Sequence, residues 1–145
     1  MRALIRASHL QPTVAVTLIA AGLAAAAGRG PGGTAWVALA VAAGQLSVGW
    51  SNDYLDRHRD RAAARLDKPI AAGQVDEGTV GRAAIAAAAA CVVLSMASGW
   101  RAGLVHIAEV AVAWGYNLGL KSTALSPLPY ALAFGALPAF VTLGL

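Results

Sequence analysis

The sequence predicts an all-α chain folded as a multi-span transmembrane helix bundle, and three observations carry that prediction. Hydrophobic residues make up 58% of the chain and charged residues only 12%, with mean hydropathy +0.61; soluble domains carry roughly twice that charge, about 25%. Apolar runs close to membrane length recur along the chain, and a bilayer crossing needs about 20 such residues. The basic residues gather at the ends of those runs, as membrane topology requires.

Five runs qualify as spans: Pro12 to Ala27, Thr34 to Ser51, Val80 to Ser98, Ala102 to Leu120 and Pro127 to Leu145. The first is short and is extended by a few residues at its amino side. Helix is the expected state of each, because lipid forces backbone polar groups to pair within the segment. Arg2, Arg6, an apolar run and small residues near Gly28 also imitate a signal peptide. Four further spans favour an uncleaved first helix. Small residues such as those from Ala83 to Cys91 suit close helix contacts. Pro129 and Pro138 are expected to kink the last span, which membrane helices tolerate.

With the amino terminus cytoplasmic, Arg2, Arg6, Arg57, Arg59, Arg61, Arg65, Lys68, Arg82 and Lys121 fall inside, and only Arg29 and Arg101 outside. Trp36, Trp50, Trp100 and Trp114 fall near span ends, as an aromatic belt places them. The net charge of +4 therefore reports topology. Nucleic-acid binding is not expected, since no polar scaffold carries a basic surface. The single cysteine, Cys91, rules out a disulfide within the chain and reads as a small buried residue.

The polar exception is the stretch from Asn52 to Gly73, NDYLDRHRDRAAARLDKPIAAG. Six of the seven acidic residues lie between Asp53 and Glu77. If the second span continues past the membrane surface, Asn52, Asp56 and Asp60 stand at i, i+4 and i+8, with Asp53 close by. One helix face then carries an amide and three carboxylates, and like charges that close need a cation. Asp53–Arg57 and Asp56–Arg59 pairs would meet that need within the helix. A hard cation would also meet it: an all-oxygen donor set suits Mg²⁺, which takes one or two carboxylates plus water and phosphate oxygens. Arg65 and Lys68 are placed to contact the same phosphates. Pro69 disfavours helix at Lys68, and Gly73 permits a turn. Metal, phosphate and a membrane bundle point to a lipid diphosphate substrate.

The run N-D-x-x-D-x-x-x-D from Asn52 to Asp60, then Arg65, KPIAAG, and WGYNLGLK from Trp114 to Lys121 resemble the UbiA superfamily of intramembrane prenyltransferases. That family usually has Arg before the proline, where this chain has Lys68. The resemblance implies membrane helices around a central cavity and transfer of a polyprenyl group from an isoprenoid diphosphate to an aromatic or lipid acceptor. It also implies Mg²⁺ bridging two Asp-rich motifs. By the same resemblance Asn52, Asp53, Asp56 and Asp60 are metal ligands, and Asn52, Arg65, Lys68 and Lys121 contact the diphosphate. Asp56, Asp60, Lys121 and Tyr116 are then the catalytic set, with Tyr116 lining the cavity. No Asp or Glu follows Glu109, so residues 1–145 resemble the amino-terminal half of the family, without the second Asp-rich motif.

Other polar residues have blander readings. His106 and Glu109 share a face of the fourth span, where a buried Glu is a functional candidate; a polar cavity wall or a helix–helix hydrogen bond is the expected role, because metal binding needs more ligands. His9 and Gln11 either face an acceptor pocket or, as the blander reading has it, lie at the surface or interface, and Ser51 reads as helix packing, with no base beside it. The competing reading is a non-catalytic membrane protein of the same family that binds or moves a lipid or small metabolite. A CDP-alcohol phosphotransferase ranks low, since DRAAAR lacks the first glycine of that pattern.

Overall fold

A computed structural model describes residues 1–144, all-helical with no strand among them. Six α-helices follow in order: α1 (Arg2–Ala7), α2 (Leu10–Ala26), α3 (Gly30–Ala62), α4 (Glu77–Met96), α5 (Trp100–Leu118) and α6 (Pro127–Leu143), with a 3-10 turn at Leu120–Ser122. Two of the five expected spans, α3 and α4, are helices long and apolar enough to cross a membrane. Helices α2 and α6 are apolar but only 17 residues long. Helix α5 has 19 residues, and Arg101, His106 and Glu109 dilute its apolar character.

The amino-terminal extension expected for the first span reaches only Leu10. His9 adopts a left-handed conformation (φ 55°, ψ 58°) that separates α1 from α2. Gly28 (φ 80°) closes α2: its N–H reaches the Ala25 carbonyl and the Arg29 N–H reaches Ala24, satisfying carbonyls the helix end leaves free. The second span is much longer than its apolar run. Helix α3 has 33 residues, about 50 Å at 1.5 Å per residue, so it carries Asn52 to Asp60 on a continuous helical end. It closes with the same double-bonded cap, here with Ala64 left-handed (φ 51°), Ala64 N–H on Arg61 and Arg65 N–H on Asp60. Asp76 starts α4 by accepting the Thr79 N–H at 2.8 Å.

Helix α2 packs on α3, α3 on α5, α5 on α6 and α6 back on α2, while α4 covers α3 and α5 from outside. A buried core of Ala20, Ala24, Val37, Ala40, Val41, Leu137, Phe140 and Val141 ties the ring at one end. At the other, Ala7, Ile70 and Val80 join α1, the loop after α3 and α4. Backbone approach is closest at Gly49, where any Cβ would collide with the Ser8 carbonyl. The belt expectation for tryptophan changes here. The indole N–H groups of Trp36, Trp50 and Trp114 donate to Leu94 O, Leu4 O and Ser47 Oγ, so they also tie elements together. Trp100 is exposed, beneath Arg101.

Candidate functional site

The four-helix ring encloses a cavity of about 370 Å³. Its polar end is lined by His9, Asn52, Tyr116, Asn117 and Tyr130, and its apolar walls by Val16, Val41, Phe134 and Leu137. The alternating chain direction explains the polarity: the carboxyl ends of α3 and α5 meet the amino ends of α2 and α6 at one mouth.

At that mouth a polar chain links α3 to α5. Lys121 Nζ donates to both Asp56 oxygens, at 2.7 and 2.6 Å, and Arg59 reaches Asp56 Oδ2 at 3.0 Å. Asn52 donates to Asp56 Oδ2 (3.3 Å) and to Asn117 Oδ1 (3.0 Å). Asn117 in turn donates to Val48 O and Ser51 Oγ, each at 2.9 Å. Asn52 and Asp56 stand one helical turn apart, which is why one lysine and one asparagine from α5 and its following turn can address both. Asn117 is the residue sequence reasoning missed. Its signal was a lone amide in an apolar run, one position after Tyr116.

Asp53 lies about 100° around α3 from Asn52 and so belongs to a second group. It is 1% exposed, and its nearest cation is Lys68 Nζ at 3.4 Å from Oδ1. Lys68 also donates to His9 Nε2 at 3.0 Å, which brings the loop after α3 onto the α1–α2 joint. Neither Asp53 oxygen has a hydrogen-bond donor, and the same holds for Oδ2 of Asp60, 4% exposed.

The pairing expected within α3 is half present. Asp56 takes Arg59, but Arg57 turns to α4, where Arg57 Nε and Arg61 Nη2 meet Glu77 Oε2 at 3.6 and 2.7 Å. The Arg61 guanidinium beside it, ahead of any other group, holds the Glu77 carboxyl below its ordinary value. Arg65 does not reach the cavity: it forks onto exposed Asp67 at 2.9 and 2.7 Å, holding that carboxyl at about 2. Ser51 is buried and accepts from Asn117, as a packing residue does. Gln11 lies in a separate surface hollow, whereas His9, interfacial on its blander reading, forms part of the cavity wall. Cys91 is buried and free.

Among the described residues no three His, Cys, Asp or Glu side chains converge closely enough to hold a metal by themselves. The orphaned oxygens of Asp53 and Asp60 nonetheless fit a hard cation that draws its remaining ligands from water and phosphate. Asn52 and Asp56, by contrast, are already engaged by Asn117, Lys121 and Arg59.

A family model described as the UbiA prenyltransferase family matches residues 13–143. No curated protein and no solved structure matches the chain.

Proposed function

From the premise that this chain belongs to the UbiA prenyltransferase family, we propose that it takes an isoprenoid diphosphate at the Asn52–Asp56–Lys121 mouth and transfers the prenyl group to an acceptor held in the ring cavity. The observation that carries this reading is the polar chain in which Lys121 and Asn52 both hold Asp56 and Asn52 meets Asn117, the two asparagines lining the end of the cavity. The acceptor is an aromatic or lipid molecule.

Lys121 and Lys68, each within reach of a carboxylate, bind diphosphate oxygens as point charges. Asn52, Asp53, Asp56 and Asp60 would hold Mg²⁺, which supplies neutralisation of the diphosphate as it leaves. Asn117 fixes the Asn52 amide, so the diphosphate end meets a preset donor. Val16, Phe134 and Leu137 exclude water from the prenyl carbon while its bond to the diphosphate oxygen breaks and the bond to the acceptor forms. Tyr116 and Tyr130, edge to face at 5.1 Å, wall the passage between the two ends. Arg65 acts at a distance, by ordering the loop that carries Lys68.

In this reading α2 to α6 all cross the bilayer as a multi-pass membrane domain. The 17-residue helices stand at the short limit of about 17–25 residues for a crossing. The mouth with α1 is cytoplasmic, supported by the excess of Lys and Arg at that end.

A second reading, a binding or transport protein of the same family, is favoured by one observation: Asp56 is already matched by Lys121 and Arg59. Asp56→Asn and Asp60→Asn in the full-length protein decide between them. Magnesium-dependent prenyl transfer that falls in both variants supports the enzyme; transfer undiminished in both removes these residues from it.

A further inference from the structure

Deep in the cavity one acidic side chain is unmatched. Glu109 is 8% exposed and lines the cavity, yet it makes no hydrogen bond or ion pair among the described residues, and its Oε1 has no partner. No Lys or Arg lines the cavity. His106, one turn earlier on α5, is committed elsewhere. Its ring stacks on Phe140 at 4.4 Å, and its Nδ1 lies 2.7 Å from Ser95 Oγ. That hydroxyl also lies 2.6 Å from Cys91 O, so His106 Nδ1 is engaged at Ser95 rather than at Glu109. A buried carboxyl without a donor is costly, and retaining one on a cavity wall points to a ligand that supplies the donor.

Glu109 and Asn117 are eight residues apart on one helix, about 12 Å along its axis. The carboxyl therefore lies well below the polar mouth, too far to act on the transferring carbon. We propose that Glu109 is an acceptor-recognition site, accepting a hydrogen bond from a hydroxyl at the end of the acceptor remote from the carbon being prenylated. A neutral hydroxyl fits better than an ammonium group, because a charged amine would have to pass the apolar walls unpaired. Glu109 is thus a specificity residue, and its role as acceptor site rests on the prenyltransferase reading. A site built to bond a hydroxyl rejects the analogue lacking it far more strongly than an apolar pocket rejects a missing methylene.

The test uses the full chain in lipid nanodiscs and two probe pairs, p-cresol against toluene and 1-octanol against octane, read by saturation-transfer NMR against empty nanodiscs. The hydroxyl member of at least one pair is expected to bind roughly tenfold tighter or more, with Glu109→Leu bringing that ratio close to one. The pair that responds tells an aromatic from an aliphatic hydroxyl. Glu109→Gln, nearly isosteric, keeps a smaller preference through its amide oxygen and covers the case in which the leucine variant does not assemble. No hydroxyl preference in the wild type, or an unaltered preference in either variant, overturns the proposal. Binding of inorganic pyrophosphate with Mg²⁺ in the same nanodiscs, compared with Asp56→Asn, reads the diphosphate site separately. Its failure alongside an intact, Glu109-dependent hydroxyl preference would sink the prenyltransferase reading and leave Glu109 a hydroxyl site.

Discussion

Lys121 Nζ holds both oxygens of Asp56, at 2.7 and 2.6 Å, across 65 residues of chain, and both side chains are only 12% exposed. The pair fastens the turn after α5 to the far end of α3, beside Asn52, which lines the polar end of the cavity. A shielded, doubly bonded pair of this kind is coupled. Lys121→Met and Asp56→Asn should each lower the unfolding midpoint in detergent, and the double variant should fall short of the sum of the two. A coupling of about 1–3 kcal/mol is expected from the cycle. Simple additivity would mean that the two groups are not joined.

Asn117 links three groups of α3 by its single amide, donating to Val48 O and Ser51 Oγ and accepting from Asn52. Asn117→Ala removes both donors in a buried setting, so a loss of about 2 kcal/mol is expected. The same change frees Asn52 and should weaken pyrophosphate–Mg²⁺ binding, although residue 117 need not touch the ligand. A stable variant with unaltered binding would remove Asn117 from the positioning of the mouth.

Gly49 has no room for a methyl group, because the Ser8 carbonyl occupies the place of its Cβ. That neighbour is backbone and cannot swing away. Gly49→Ala should cost about 1–3 kcal/mol and displace the α1–α2 joint that carries His9. Gly22, with open space around it, is the control, and Gly22→Ala should be neutral or slightly stabilising. Equal effects at the two glycines would contradict the packing.

The joint between α3 and α4 is pH-sensitive. Glu77 lies below its ordinary value of 4.5, first through the Arg61 guanidinium paired with it at 2.7 Å and then through the charge of Arg57. A depressed folded-state value means that the pair's contribution is complete above the unfolded value, near 4.5, and is lost as pH falls through the lower, folded one. The wild type should unfold at a higher midpoint than Glu77→Gln at neutral pH, and the two should converge well below pH 4.5. A constant offset between the curves would contradict the assignment.

The helical character was legible in the sequence because apolar runs set the helices apart, although only α3 and α4 are long and apolar enough to cross a membrane. The face of Asn52 and Asp56 was legible because helical periodicity alone puts them a turn apart. The i, i+4 rule also suggested Asp53–Arg57, and that partner was wrong. Burial decides it: Asp53 points inward to Lys68, while Arg57 lies along Tyr54 and turns out to Glu77. The break at His9 was hidden, since histidine accepts a left-handed backbone more readily than most residues but does not require one, and it is the docking of Ser8 on Gly49 that places the joint there. Asn117 was hidden for a similar reason. An isolated amide gives no spacing pattern, and its meaning appears only when α5 is laid beside α3.

The central claim is that the mouth formed by Asn52, Asp56 and Lys121 binds a diphosphate with Mg²⁺. The most direct measurement is calorimetric binding of inorganic pyrophosphate to the nanodisc-embedded chain, with and without Mg²⁺, for the wild type and Asp56→Asn. Binding that requires Mg²⁺ and weakens more than tenfold in the variant is predicted. Binding that is indifferent to Mg²⁺, or equally tight in Asp56→Asn, would contradict the account.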